Sequence, residues 1–168
     1  MPNRYWRAGA CLLSLVSLAL PATAAPPVER MATHLEGVRD DLIELRRDLH
    51  RHPELSGQEE RTAKVVAERL ERLGLEVTTG IGGHGVVAVL RGGKPGGVVG
   101  FRADMDATPS MLPDPIEEIA STVPGARHIC GHDVHVAVGI GVAEALAALR
   151  EELPGTVKFL FQPAEESA

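Results

Sequence analysis

The sequence predicts an α/β fold, with helices packed on a mixed β-sheet. Three observations point there. Apolar residues recur at three- and four-residue spacing in three segments, the mark of helices with one buried face. Short apolar runs bounded by glycine and proline lie between and after them and read as strands. The two kinds of segment alternate along the chain, as layered α/β domains require.

Residues 1–25 stand apart from that pattern. Arg4 and Arg7 precede an apolar run from Ala8 to Leu20, and Pro21 to Ala25 closes it with small residues in an A-x-A arrangement. These are the three parts of an export signal, and the run is short for a bilayer span. The expectation is a cleaved signal peptide over residues 1–25, a periplasmic or secreted protein, and no membrane attachment after cleavage. Cleavage also removes Cys11, leaving Cys130 as the single cysteine and no intramolecular disulfide. A lone thiol in an oxidising compartment calls for burial or a metal.

The body, residues 26–168, opens with a long amphipathic helix from Pro26 to His52, its stripe formed by Val38, Leu42, Leu45 and Leu49. His52-Pro53 stops it, because the residue before proline is pushed out of helical geometry. Ser56 reads as the N-cap of a second helix, with Glu59 completing a capping box. That helix runs to about Leu73 with Val66, Leu70 and Leu73 inward, and Gly74 follows as a helix stop. Strands are predicted at Leu75–Thr79, Val86–Leu90 and Val98–Phe101. The glycines from Gly80 to Gly85 lack the spacing and following helix of a nucleotide fingerprint and read as hairpin punctuation. The turn Arg91–Gly97 suggests a second hairpin. Prolines 109, 113, 115 and 124 mark residues 107–127 as an irregular loop. Helix returns from about His135 to Leu149, and Val157–Phe161 reads as a buried strand ended by Pro163.

Composition excludes several classes of function. Of 168 residues, 44% are hydrophobic and 24% charged, which excludes a disordered chain and a polytopic membrane protein. Seventeen basic residues face 23 acidic ones, a net charge of −6, and only 3% are aromatic. Nucleic-acid partners need a basic surplus and stacking rings, and neither is present.

Chemistry-bearing residues gather in three clusters. His128, Cys130, His132, Asp133 and His135 fall within eight residues; thiolate and imidazole are ligands of zinc and similar ions. Cys130 and His132 cannot share a helix face but can converge in a turn, and Gly131 permits the backbone this needs. Asp133 either orients an imidazole or caps the following helix. The pair Glu165-Glu166 follows a strand. Adjacent side chains diverge in extended chain, so one can ligate while the other serves as a base. Arg102-Ala103-Asp104-Met105-Asp106 also follows a strand and places two aspartates at alternate positions.

Four motifs now carry a resemblance. Leu45 to Leu55 (LRRDLHRHPEL), Phe101 to Pro109 (FRADMDATP), His128 to His135 (HICGHDVH) and Gly155 to Glu166 (GTVKFLFQPAEE) occur in order. From about residue 36 onward the chain resembles the M20 metallopeptidases, specifically the amidohydrolase branch of hippurate and indoleacetyl-amino acid hydrolases. The resemblance implies a zinc-peptidase-like catalytic domain holding two divalent ions, among zinc, manganese, cobalt and nickel. It implies Cys130, His132 and Glu166 as metal ligands, Glu165 as general base, and Asp106 as the aspartate that orients a ligand. The implied substrate is a small N-acyl amino acid, cleaved at its amide. An M20 carboxypeptidase or dipeptidase is the close rival. A cysteine hydrolase using Cys130 leaves the two glutamates without a role, and a non-catalytic metal-binding fragment is the bland alternative. Ile129, Val134 and Thr108 stand where the family commonly has Ala, Gly and Leu, and residues 110–125 depart from its usual sequence. The family also continues past the Glu-Glu motif, into further histidine ligands and a lid and dimerisation domain. The expectation is therefore an incomplete catalytic domain, inactive alone, whose full-length form is a homodimer.

Overall fold

The computed structural model describes residues 25–167; the signal-peptide reading of residues 1–25 lies almost wholly outside them. Helix α1 spans Pro27–Arg51 and α2 spans Glu60–Arg72. Strands β1 (Glu76–Ile81), β2 (Gly85–Arg91) and β3 (Lys94–Asp104) follow. A short pair, β4 (Thr108–Pro109) and β5 (Ala126–Arg127), brackets the proline-rich loop. Helix α3 (His132–Ala148) and strand β6 (Pro154–Gln162) complete the domain.

The main sheet has the order β1-β2-β6-β3. β1 pairs antiparallel with β2, β2 antiparallel with β6, and β6 parallel with β3. The sheet is therefore mixed, as expected. The hairpin expected at Arg91–Gly97 does not form, because β6 lies between β2 and β3. Insertion is possible because Gly155 has no side chain: a Cβ there would sit 2.1 Å from the Gly97 carbonyl oxygen, and its φ of +78° suits only glycine comfortably. The hairpin of this domain is β1–β2, closed by the Gly80–Gly85 turn.

Alternation along the strands buries one face. Val86, Ala88 and Leu90 of β2 point inward with Phe159 and Phe161 of β6 and Ala103 of β3. Val66 and Leu70 of α2, Val136 and Ile140 of α3, and Leu45 and Leu49 of α1 close over them. Each phenylalanine so buried contributes roughly 1.5–3 kcal/mol. Arg102 and Leu160 point the other way and stay exposed, as do Val98 and Val99 on the edge strand β3. Among the described residues no helix is long and apolar enough to cross a membrane.

Two expectations about helix starts are corrected. Ser56 does not cap α2: the helix begins at Glu60, and its Arg61 and Thr62 N–H groups donate to the Glu54 carboxylate at 2.9 and 2.7 Å. Helix α3 begins at His132, three residues before the expected start. Its first turn is polar, so apolar periodicity had no purchase there.

Candidate metal centre

β3 and β6 are parallel neighbours, so their carboxyl ends open on the same edge of the sheet. Asp104 and Asp106 follow one strand, Glu165 and Glu166 the other, and α3 begins beside them. Ligand sites of open α/β sheets lie at such ends.

His132 is the centre of the cluster. Gly131, at φ +82°, supplies the left-handed residue that turns the chain from the Cys130 loop into α3. This places His132 in the first helical turn, buried to 4% exposure. Its Nδ1–H donates to the Asp106 main-chain carbonyl at 2.9 Å, with Asp106 Oδ1 at 3.1 Å. The Nε2 lone pair is thereby left to face Glu165 Oε2 at 3.8 Å and Glu166 Oε1 at 3.9 Å. Those distances exceed a hydrogen bond. One donor atom from each of the three residues lies within 4.8 Å of the others, a spacing that accommodates an ion with ligand bonds of about 2.0–2.2 Å. The donor chemistry, one imidazole with its tautomer set and two carboxylates, fits a divalent metal.

The two glutamates do not diverge as extended chain would have them. They lie in a short 3₁₀ turn, Glu165–Ser167, and both reach toward the same nitrogen. Cys130 stands at the margin. It is exposed, so burial is not what protects it. Its thiol is pushed above its ordinary pKa, first by a hydrogen bond to the Glu166 carboxylate, then by burial and by repulsion from Glu166, Glu165 and Asp106. Metal ligation would have to displace that proton.

Asp106 is buried to 1% exposure. Burial alone would raise its pKa, but hydrogen bonds from Ser56 and the Glu166 N–H outweigh it and hold the carboxyl below its usual range. Asp104 takes a separate course: it pairs with Arg102 and lies 3.4 Å from His135 Nδ1, so the two aspartates serve different partners. Asp104, His132 and His135 form a second group of close donors.

Asp133 neither caps α3 nor orients a site imidazole. Its fully buried carboxylate faces α1, with Oδ2 2.8 Å from Arg46 Nε and 2.8 Å from His50 Nδ1. His50 continues to Asp114 at 3.4 Å, which pairs with Arg127 at 2.6 Å. This network ties α1 and the proline-rich loop to the residue beside His132. Arg46 and His50 lie within the first motif, but helical periodicity registers only apolar spacing and gave them no role. A groove of about 610 Å³ between α1 and α3, lined by Leu35, Leu42, Ala137 and Val142 among others, contains none of the metal-site donors.

Residues 100–168 match the profile of Peptidase family M20/M25/M40. The chain is 44% identical over 140 residues to thermostable carboxypeptidase 2 of Saccharolobus solfataricus, covering 83% of this chain and 35% of that protein. It is 44% identical over 138 residues to an N-acyl-L-amino acid amidohydrolase of Geobacillus stearothermophilus, covering 82% and 37%. The crystal structure of the Bacillus subtilis YXEP protein, described as a dinuclear metal-binding peptidase of the M20 family, superposes with a TM-score of 0.72 at 45% identity. That superposition covers 78% of this chain and 36% of that one. The chain spans about a third of the length of the relatives it matches. Profile, identity and superposition agree with the four motifs and with the donor cluster at the strand ends, and the chain belongs to peptidase family M20/M25/M40.

Proposed function

We propose that this chain supplies the metal-binding half-site of an amidohydrolase that cleaves the amide bond of N-acyl amino acids. The observation that carries the reading is the His132 geometry: Nδ1 tied to Asp106 and Nε2 facing two carboxylates across a gap of ion size. His132 and Glu166 would hold a divalent cation, with Cys130 as a thiolate ligand once its proton is lost. A cation so held would supply polarisation of the amide carbonyl and acidification of a water. Glu165 takes the proton from the attacking water and returns it to the departing amine. Asp106 keeps the His132 tautomer and ring plane fixed. The similarity to an amidohydrolase supports N-acyl amino acids as substrates. The equal identity to a carboxypeptidase makes short peptides the second substrate class to assay. Export of the protein rests on the Arg4/Arg7, apolar-run and Ala-Thr-Ala arrangement; an exported form that began at Met1 or Pro2 would overturn it.

The experiment compares Glu165→Gln with Glu166→Gln, first in this chain by zinc and manganese titration, then in a catalytically active form of the protein. Glu165→Gln is expected to keep metal and lower kcat by about 10²–10⁴-fold, the usual worth of acid–base catalysis. Glu166→Gln is expected to lose metal and activity together. The opposite pattern reverses the two roles, and a wild-type chain that binds neither ion overturns the metal reading. Turnover is not expected from the chain alone, because with Glu165 kept as the base only His132, Glu166 and Cys130 of the proposed set remain to hold metal.

A further inference from the structure

The turn between α1 and α2 supplies no donor to the cluster, yet two of its side chains reach the segments that form it. Glu59 is fully buried, at 0% exposure, a position a carboxylate occupies only when strongly partnered. Its Oε1 accepts the Gly57 N–H at 2.9 Å and the Ala164 N–H at 2.7 Å. Glu59 also precedes the first residue of α2, where the positive end of the helix favours a negative charge. Its Oε2 has no hydrogen-bond partner, so neighbouring polar groups other than these two N–H donors do not account for its burial.

Ala164 is the informative partner. Its φ of +52° is the left-handed conformation, and among the described residues it is the one non-glycine residue there. Alanine has no side-chain group to favour that geometry, and it directly precedes Glu165 and Glu166. Residue 164 therefore decides where both carboxylates go, and an outside contact must hold it. Ser56 acts on the same segment from the same turn. Its hydroxyl donates to Asp106 Oδ2 at 2.6 Å, and that oxygen also accepts the Glu166 N–H at 3.0 Å.

We propose that Glu59 is a positioning residue whose buried carboxylate, by accepting the Ala164 N–H, holds the left-handed turn that aims Glu165 and Glu166 at His132. Its consequence for metal affinity rests on the metal reading of the site, whereas the hold on Ala164 does not. Glu59 touches no donor of the cluster directly and acts through the backbone.

The test uses the full chain as wild type, Glu59→Gln, Glu59→Ala and the double variant Glu59→Ala/Ala164→Gly. Amide hydrogen exchange is read at Ala164 and, as an internal reference, at Phe159 in β6; zinc affinity is read by competition titration. In Glu59→Ala the Ala164 amide is expected to exchange at least about tenfold faster while Phe159 is unchanged, and zinc to bind about 10–100-fold more weakly, as when a group orienting a ligand is removed. Glu59→Gln keeps an acceptor oxygen and is expected to retain most of the affinity, with an intermediate Ala164 exchange rate because a neutral acceptor is weaker. Ala164→Gly in the Glu59→Ala background is expected to recover part of the affinity, since glycine enters the left-handed region without strain. A role limited to stability would lower the melting temperature, leave the zinc affinity of the folded protein unchanged and show no rescue by glycine. That result overturns the proposal, as does unaltered Ala164 exchange. If Glu59→Ala does not fold, the Ala164 exchange rate in Glu59→Gln decides, and equality with wild type overturns the proposal. If the wild-type chain binds no zinc, the metal reading fails and the exchange data alone decide the role of Glu59.

Discussion

His132 and Asp106 are joined through two different oxygens of one residue: Nδ1 lies 2.9 Å from the Asp106 carbonyl and 3.1 Å from its carboxylate. The main-chain oxygen can only accept, so Nδ1 carries a proton, and in the neutral imidazole that metal binding requires the lone pair is on Nε2. Asp106→Ala preserves the carbonyl but removes the carboxylate that also receives Ser56 and the Glu166 N–H. Zinc affinity of the chain is expected to fall about 10–100-fold, measured by competition with a chromophoric chelator. Unchanged affinity would show that the carbonyl alone orients the ring.

The metal-free chain is expected to lose stability as pH falls from about 6.5 to 4. Burial lowers the His128 pKa to about 4, against partial opposition from the Asp133 charge, and both ring nitrogens lack partners. The folded value lies below the unfolded one, so the unfolded chain binds the extra proton in this window and stability rises with pH there. The full effect is roughly 3 kcal/mol, because each tenfold change in proton affinity is worth about 1.4 kcal/mol. Urea denaturation at pH 7 and pH 4.5 reads it, and His128→Phe should flatten the difference.

Arg46→Met should destabilise the domain through Asp133, whose side chain is completely buried. Breaking a buried pair costs about 3–5 kcal/mol. Here Arg46 is 31% exposed and His50 remains as a partner, so about 2 kcal/mol is expected. Chemical denaturation of Arg46→Met, Asp133→Asn and the double variant gives the coupling; strict additivity would show that the pair contributes nothing.

Gly131→Ala and Gly155→Ala should separate conformational strain from steric exclusion. Both glycines have positive φ, but a Cβ at Gly131 meets nothing within 4 Å, whereas at Gly155 it would lie 2.1 Å from backbone. Gly131→Ala is expected to cost about 1–2 kcal/mol, the left-handed penalty alone. Gly155→Ala should cost at least about 3 kcal/mol or prevent folding, since overpacking is added and backbone cannot yield as a side chain does. Thermal melts of the two variants give the comparison.

Helices were legible in the sequence because their apolar faces repeat with a fixed period, and strands because short apolar runs stand between glycines and prolines: α1, α2 and all four strands of the main sheet appear close to where those signals place them. Strand order was not legible. Glycines between β2 and β3 look the same whether they close a hairpin or let β6 slide between the strands, and the deciding contact, Gly155 against Gly97, is remote in sequence. Of the expected ligands Cys130, His132 and Glu166, the last two lie together with Glu165, the expected base, whereas Cys130 belongs to neither group of close donors. The supports of these residues were not legible. Ser56 matches a helix cap by local pattern, yet its hydroxyl has a tertiary partner in Asp106, and local pattern cannot express a preference for a partner fifty residues away. Glu59 fits a capping box by local pattern, which assigns its carboxylate to its own helix, whereas that carboxylate accepts the backbone N–H groups of Gly57 and Ala164.

The sheet order also dictates when the domain can assemble during synthesis. Among the described residues β6 is the last strand in sequence, yet it occupies an interior place, pairing Val86 with Phe161 on one side and Phe101 with Phe159 on the other. Until residues near Gln162 have cleared the ribosome, β2 and β3 have no bridge between them, and the apolar faces of α2 and α3 have only part of their floor. The nascent chain must therefore hold these surfaces open until β6 follows. Such late, non-local closure is slow and leaves unpaired strand edges exposed, so the interval before β6 emerges is when this domain most needs a chaperone.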